Sequence, residues 1–88
     1  MNSITKGDRA RNACKEARDI LKKLNKPEYS EIIARIEYCM ASYDFDQNPV
    51  GLFELAMVSH HMLSEEKKNN PKKISQKLLD SLEKSANT

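Results

Sequence analysis

The chain has 88 residues, of which 39% are hydrophobic, and its formal net charge is +2. A chain of this length forms one small domain that buries about 60 to 65% of its unfolded surface, so a large internal active-site cavity is not expected. Only two glycines and three prolines, with few β-branched residues, predict an all-α protein and argue against a sheet.

Four segments have apolar residues at intervals of three and four, which is typical of amphipathic helices. The predicted helices span residues 8–24, 27–43, 49–66 and 71–85. Residues 1–7 have no such pattern and are predicted to form a disordered tail before a single domain of residues 8–86. Short connections favour antiparallel neighbours, so the predicted architecture is a small antiparallel four-helix bundle, with an irregular orthogonal array as the alternative.

In the first helix, Asp8 is the predicted N-cap, and small apolar residues near the start predict a close approach to a neighbouring helix. Basic side chains follow one flank of this helix at spacings of four, three and four. This basic stripe consists of Arg11, Lys15, Arg18 and Lys22. A stripe of this kind can bind a phosphate backbone or an acidic protein surface, so nucleic-acid binding is one functional hypothesis.

The charge distribution offers another interpretation of the basic stripe. Residues 1–26 carry eight basic and three acidic side chains, residues 27–66 carry one and eight, and residues 67–88 carry six and two. The basic terminal helices are therefore predicted to pack beside the acidic middle helices and to be neutralised partly by them. The domain pI of about 8.6 is also lower than is usual for nucleic-acid-binding domains.

The second helix is predicted to open at Pro27, and its apolar stripe runs from Tyr29 to Tyr43. Tyr38 lies on the opposite side and is predicted to be partly exposed. A short four-helix layout with a tyrosine just after a helix-opening proline (Pro27, Tyr29) resembles small bacteriocin immunity proteins. This resemblance rests on helix order and those two residues, and it implies a protein that blocks a toxin or the toxin's target.

The third helix, preceded by Asn48 and Pro49, is the most apolar segment and is predicted to be the centre of the core. The residues predicted to face the core are Leu52, Phe53, Ala56, Met57, His60 and Leu63. A helix 3 flank, consisting of Leu55, Val58 and Met62, extends this apolar surface and is a candidate surface for a protein partner or for homodimerisation. The alternative is that helix 3 is covered internally. The polar residues after Leu63 are predicted to form a solvated last turn.

No arrangement of residues predicts catalysis, a metal or a cofactor. Cys14 and Cys39 are not in a C-x-x-C pair and are predicted to be reduced core residues, although a bridge can form between them if their helices are neighbours. His60 and His61 are adjacent and diverge by about 100° on a helix, which does not suit chelation of one ion. Asp44 opens a spacing similar to that of a calcium loop, but Pro49 stands at the position where that loop requires Gly.

These observations predict a non-enzymatic protein-interaction module that uses the helix 3 flank, the basic stripe, or both. No run approaches the roughly 18 apolar residues of a membrane span, and the first 19 residues contain no apolar secretion signal. We therefore expect a cytoplasmic protein. A nucleic-acid-binding protein and a toxin-blocking protein are the alternative functions.

Overall fold

A computed structural model of the chain describes residues 5–86 and contains four α-helices in this range. These are α1 (Lys6–Leu24), α2 (Ser30–Asp46), α3 (Val50–Asn69) and α4 (Gln76–Ala86), and a single 3-10 turn, Pro27–Tyr29, precedes α2. The predicted all-α four-helix fold is confirmed. Within the described residues, no helix is both long enough and apolar enough to cross a membrane.

Consecutive helices run in opposite directions, as contacts between their ends demonstrate. Arg11 near the start of α1 binds Asp44 near the end of α2, and Tyr29 just before α2 binds Glu66 near the end of α3. α4 returns along α3, because Gln76 at its start binds Lys67 and Glu83 near its end lies 3.9 Å from the earlier residue His60. The pair α1 and α3 forms the middle of the bundle, because each of these two helices packs against the other and against both α2 and α4. α2 packs mainly against α1 and α3, which leaves one side of α2 facing outward.

The ends of α1 are set by local hydrogen bonds. The Thr5 hydroxyl, not the predicted Asp8, is the N-cap, and it accepts a hydrogen bond from the Asp8 backbone N–H at 3.1 Å. α1 therefore begins two residues earlier than predicted, and of the predicted tail only residues 1–4 lie outside the described residues. Asn25 ends the helix in the left-handed conformation.

Helix α4 begins later than its sequence pattern predicted. Residues 71–75 form a turn, and the Ser75 hydroxyl accepts a hydrogen bond from the Leu78 backbone N–H at 3.1 Å. Ser75 thereby satisfies one of the N–H groups that a helix start leaves without a partner. The Asn70-Pro71 pair marks the end of α3 and not the start of α4.

The core is formed by one face of each helix. Ala10, Ala13 and Ala17 of α1 are buried, which confirms the predicted close approach near the start of this helix. Gly7 lies even closer to its neighbour, because a Cβ atom added there would be 2.6 Å from the Tyr43 Oη atom. The first turn of α1 therefore packs directly on the Tyr43 side chain of α2.

The face that α3 turns to the core differs from the predicted face. Leu52, Ala56 and Leu63 are buried as predicted, but 57% of the Met57 surface is exposed, and His60 is half-buried. The buried face of α3 is completed by other residues: Leu55, Ser59 and Glu66. The predicted face was centred on the apolar residues of the helix, whereas the polar residues Ser59 and Glu66 lie on the buried face and shift it away from Met57.

Candidate functional site

Three of the four side chains in the basic stripe form ion pairs within the protein. Arg11 donates two hydrogen bonds to the Asp44 carboxylate, at 2.7 and 2.8 Å. Arg18 and Lys22 approach the Glu37 carboxylate, with N···O distances of 3.5 and 3.0 Å. Lys15 is exposed.

This pairing explains the segregated charge of the sequence. α1 supplies the basic partners and α2 the acidic partners, as the second interpretation of the stripe predicted. The Arg11 guanidinium lowers the pKa of Asp44, so this pair stays ionised over the physiological range. A phosphate backbone would have to compete with Asp44 and Glu37 for three of the four basic groups.

The helix 3 flank is not a continuous surface. Leu55 belongs to the core with 3% of its surface exposed, and Met62 is partly buried against the core. Of the three residues only Val58 is exposed, with 37% of its surface accessible. Leu55 therefore cannot contact a partner while the domain is folded, because its side chain is used within the bundle.

A different apolar surface lies on the outward side of α2. Tyr38 and Phe45 are 75% and 92% exposed, although both are aromatic residues in the middle or last turn of a helix. Ala34 and Ala41 are also exposed and alternate with them at spacings of four, three and four. At 3.6 residues per turn these four side chains lie within about 60° of one another on the helix. We call Ala34, Tyr38, Ala41 and Phe45 the α2 outer stripe.

The remaining large exposed hydrophobic residues of the described chain are on α3. Val50 is 66% exposed and Met57 is 57% exposed, and they lie seven residues apart on one side of that helix. Together with Val58 and the two aromatic rings of α2, they place every large exposed hydrophobic residue of residues 5–86 in the α2–α3 hairpin. The outer surfaces of α1 and α4 are polar by comparison.

Both cysteines were predicted to be core residues, but only Cys14 is fully buried. The Cys14 thiol is buried and donates a hydrogen bond to the Leu52 carbonyl oxygen at 3.5 Å. Burial raises the pKa of Cys14 to about 12, which keeps it a protonated, unreactive thiol. Cys39 is partly buried, and both cysteines are free.

Among residues 5–86, no group of three His, Cys, Asp or Glu side chains is placed to hold a metal ion. This applies to His60 and His61 and to the loop between α2 and α3. The His60 Nε2 atom lies 3.9 Å from a Glu83 oxygen, and His61 is exposed on another side of α3. In the loop, Asp46 and Asn48 accept hydrogen bonds from backbone N–H groups two residues ahead. The loop therefore shapes the turn into α3.

A buried carboxylate joins the α1–α2 connection to the end of α3. Glu66 is 3% exposed and accepts hydrogen bonds from Lys26 Nζ and from the Tyr29 hydroxyl, both at 2.7 Å. The Asn70 side-chain amide donates a further hydrogen bond to the second Glu66 oxygen. We call Lys26, Tyr29, Glu66 and Asn70 the Glu66 cluster.

The donors of the Glu66 cluster determine its ionisation. Hydrogen bonds from Lys26, Tyr29 and Asn70 lower the pKa of Glu66 to about 2, from an ordinary value of 4.5. Burial and the hydrogen bond to Glu66 raise the pKa of Tyr29 to about 12. A carboxylate with such a low pKa is a poor general base at neutral pH, so this cluster suits a structural connection better than proton transfer.

The sequence contains a local pattern for the α2 outer stripe but none for the Glu66 cluster. The spacing of the α2 outer stripe is visible in the sequence, but the prediction treated only the opposite, more apolar side of this helix as significant. The Glu66 cluster has no local signal, because Tyr29 and Glu66 are 37 residues apart in the chain. The prediction of a solvated last turn after Leu63 is wrong at Glu66 for this reason.

In a comparison with known proteins, no protein-family model, curated protein or solved structure matches the chain.

Proposed function

We propose that this protein is a non-enzymatic interaction module of the cytoplasm that binds another protein chain through the outer surface of its α2–α3 hairpin. The observation that carries this proposal is the 92% exposure of Phe45 on the same side of α2 as Tyr38. Aromatic residues dominate the energetics of protein interfaces, and a row of them at helical spacing is the pattern by which helices recognise other helices.

The surface charges favour this proposal over nucleic-acid binding. Asp44 and Glu37 occupy three of the four basic side chains in the stripe that would contact phosphates. The proposed interface is the outer surface of the α2–α3 hairpin and not the helix 3 flank, because the Leu55 side chain is buried in the core. Two free thiols, one of them buried, suit a reducing compartment.

Site-specific photo-crosslinking in the cells that produce the protein tests the proposal. p-Benzoylphenylalanine replaces Phe45 in one variant and Met57 in another, and it replaces exposed Lys77 of α4 in a matched control. We expect a discrete crosslinked protein from position 45, from position 57, or from both, and none from position 77. Equal labelling from all three positions, or labelling from position 77 alone, would refute a binding surface on the α2–α3 hairpin.

A further inference from the structure

The α2 outer stripe has an order of side chains that is complementary to itself. Along α2 the exposed side chains alternate small and large: Ala34, Tyr38, Ala41 and Phe45. Read in the opposite direction, the same row is large, small, large and small. Two copies of α2 that run antiparallel therefore bring Phe45 of each copy opposite Ala34 of the other, and Tyr38 opposite Ala41.

From this complementarity we infer that the occupant of the α2 outer stripe is a second copy of the same chain, bound antiparallel about a twofold axis between Tyr38 and Ala41. The inference rests on the proposed function and names its partner. Each aromatic ring fills the space above an alanine, which is the packing of knobs into holes. A twofold interface requires such a self-complementary surface.

A parallel pairing of two copies does not satisfy the same surface. It places Tyr38 against Tyr38 and Ala41 against Ala41, which leaves gaps beside the alanines. It also places exposed Glu31, one heptad before Tyr38, opposite the same carboxylate of the second copy. Antiparallel pairing places Glu31 of one copy opposite position 48 of the other, which separates these two like charges by about 26 Å along the helix axis.

The charged residues beside the stripe are compatible with this dimer. Glu37 and Asp44 lie on the flank of α2 that faces α1, and antiparallel copies bring these acidic flanks together. Within each copy, Arg18 and Lys22 already neutralise Glu37, and Arg11 neutralises Asp44. On the opposite flank, Arg35 is the one basic residue of residues 27–66, and it lies on the same side of α2 as Asp46.

The size of the surface sets the expected strength of the dimer. With 92% and 75% exposure of the two rings in each copy, the four rings alone bury on the order of 600 Å². Adjacent alanines and flanking residues bring the interface to about 1,000 Å², at the low end of specific interfaces. We expect a reversible dimer with a dissociation constant in the micromolar range, and not an obligate one.

A mixing experiment with full-length variants tests the predicted pairing of positions 34 and 45. F45A removes the ring and leaves a gap in its homodimer, whereas A34F fills the space and causes a clash in its own. In a mixture of the two, the A34F ring faces the vacated position 45, and the other contact keeps its original residues. Sedimentation equilibrium and native mass spectrometry from about 1 μM to 1 mM measure all three association constants.

We expect F45A and A34F each to weaken self-association at least about tenfold, and their heterodimer to be at least about tenfold tighter than either homodimer. K77A removes an exposed side chain of α4, outside the α2–α3 hairpin, and is the matched control, with self-association unchanged. Circular dichroism checks that every variant is helical.

Two results would overturn the inference. One is a wild-type chain that stays monomeric up to 1 mM, and in that case crosslinking of an unrelated protein from position 45 would leave the proposed function standing. The other is a dimer whose strength does not depend on positions 34 and 45, or a mixture no tighter than its components. An unrelated protein captured at position 45 together with the predicted heterodimer preference would support both proposals, with dimer and partner competing for one surface.

Discussion

Removal of one hydroxyl group tests how much the Glu66 cluster stabilises the fold. The Tyr29 side chain is 6% exposed and donates a hydrogen bond of 2.7 Å to Glu66. Hydrogen bonds to charged groups contribute about 1.5 to 3 kcal/mol, and Tyr29→Phe removes this one while the ring remains in the core. Taking ~2 kcal/mol for the lost free energy of unfolding, we expect the melting temperature to fall by about 8 to 16 °C in a domain of this size.

Tyr38→Phe is the matched control, because it removes the same hydroxyl from a ring that is 75% exposed. We expect this change to alter the free energy of unfolding by less than about 0.5 kcal/mol. Urea denaturation followed by circular dichroism at low protein concentration measures both variants and reports whether the slope against urea is unchanged. A similar effect for the two substitutions would show that the Tyr29 hydroxyl is not a stabilising partner of Glu66.

A double-mutant cycle separates the hydrogen bond from other effects of the Tyr29 substitution. Glu66→Gln is combined with Tyr29→Phe, and the four proteins of the cycle are unfolded under one set of conditions. We expect the two changes to be less destabilising together than the sum of the single changes, because each single change leaves a polar partner behind. Additive effects would mean that the two side chains do not interact in solution.

Three further predictions follow from contacts of single residues. Gly7→Ala is expected to lower the free energy of unfolding by about 1 kcal/mol in a urea titration, because overpacking against Tyr43 exceeds the gain in helix propensity; a stabilised variant would contradict the close approach. Since the pKa of Glu66 is lowered to about 2, its contribution is complete above its unfolded value of 4.5 and is lost as pH falls toward 2. Thermal melts between pH 6 and pH 2 should therefore show a steeper loss for the wild type than for Glu66→Gln, and parallel curves would rule this out. Ser59→Ala is expected to stabilise the protein by about 0.5 to 1 kcal/mol in thermal denaturation, because the buried Ser59 hydroxyl has no hydrogen-bond partner among residues 5–86; a loss of stability would indicate that this hydroxyl is satisfied in solution.

The sequence predicted the four helices because their apolar periodicity is local and repeats over many turns. It did not predict the orientation of α3, since Ser59 and Glu66 are polar residues on the buried face and Met57 is an apolar residue outside it. Glu66 is buried with the partners Lys26 and Tyr29, which lie 40 and 37 residues earlier in the chain, and no window of neighbouring residues contains that information.

Prediction of the candidate surface was limited for a related reason. The helix 3 flank was predicted from hydrophobicity alone. Hydrophobicity does not distinguish a core residue from an interface residue, and Leu55 is a core residue. The predicted second helix ends at residue 43 and leaves Phe45 in a loop, whereas α2 continues to Asp46. Because α2 extends three residues beyond the predicted end, Phe45 lies on the helix and in line with Tyr38.

The Glu66 cluster also has a consequence for the order in which the protein folds. The separation of 37 residues between Tyr29 and Glu66 means that a long loop must close before their hydrogen bond can form, whereas the turns of each helix form locally. We expect the cluster to assemble after the folding transition state, so that Tyr29→Phe speeds unfolding in stopped-flow measurements and changes the refolding rate little. The cluster would then prolong the lifetime of the native state mainly by slowing its unfolding.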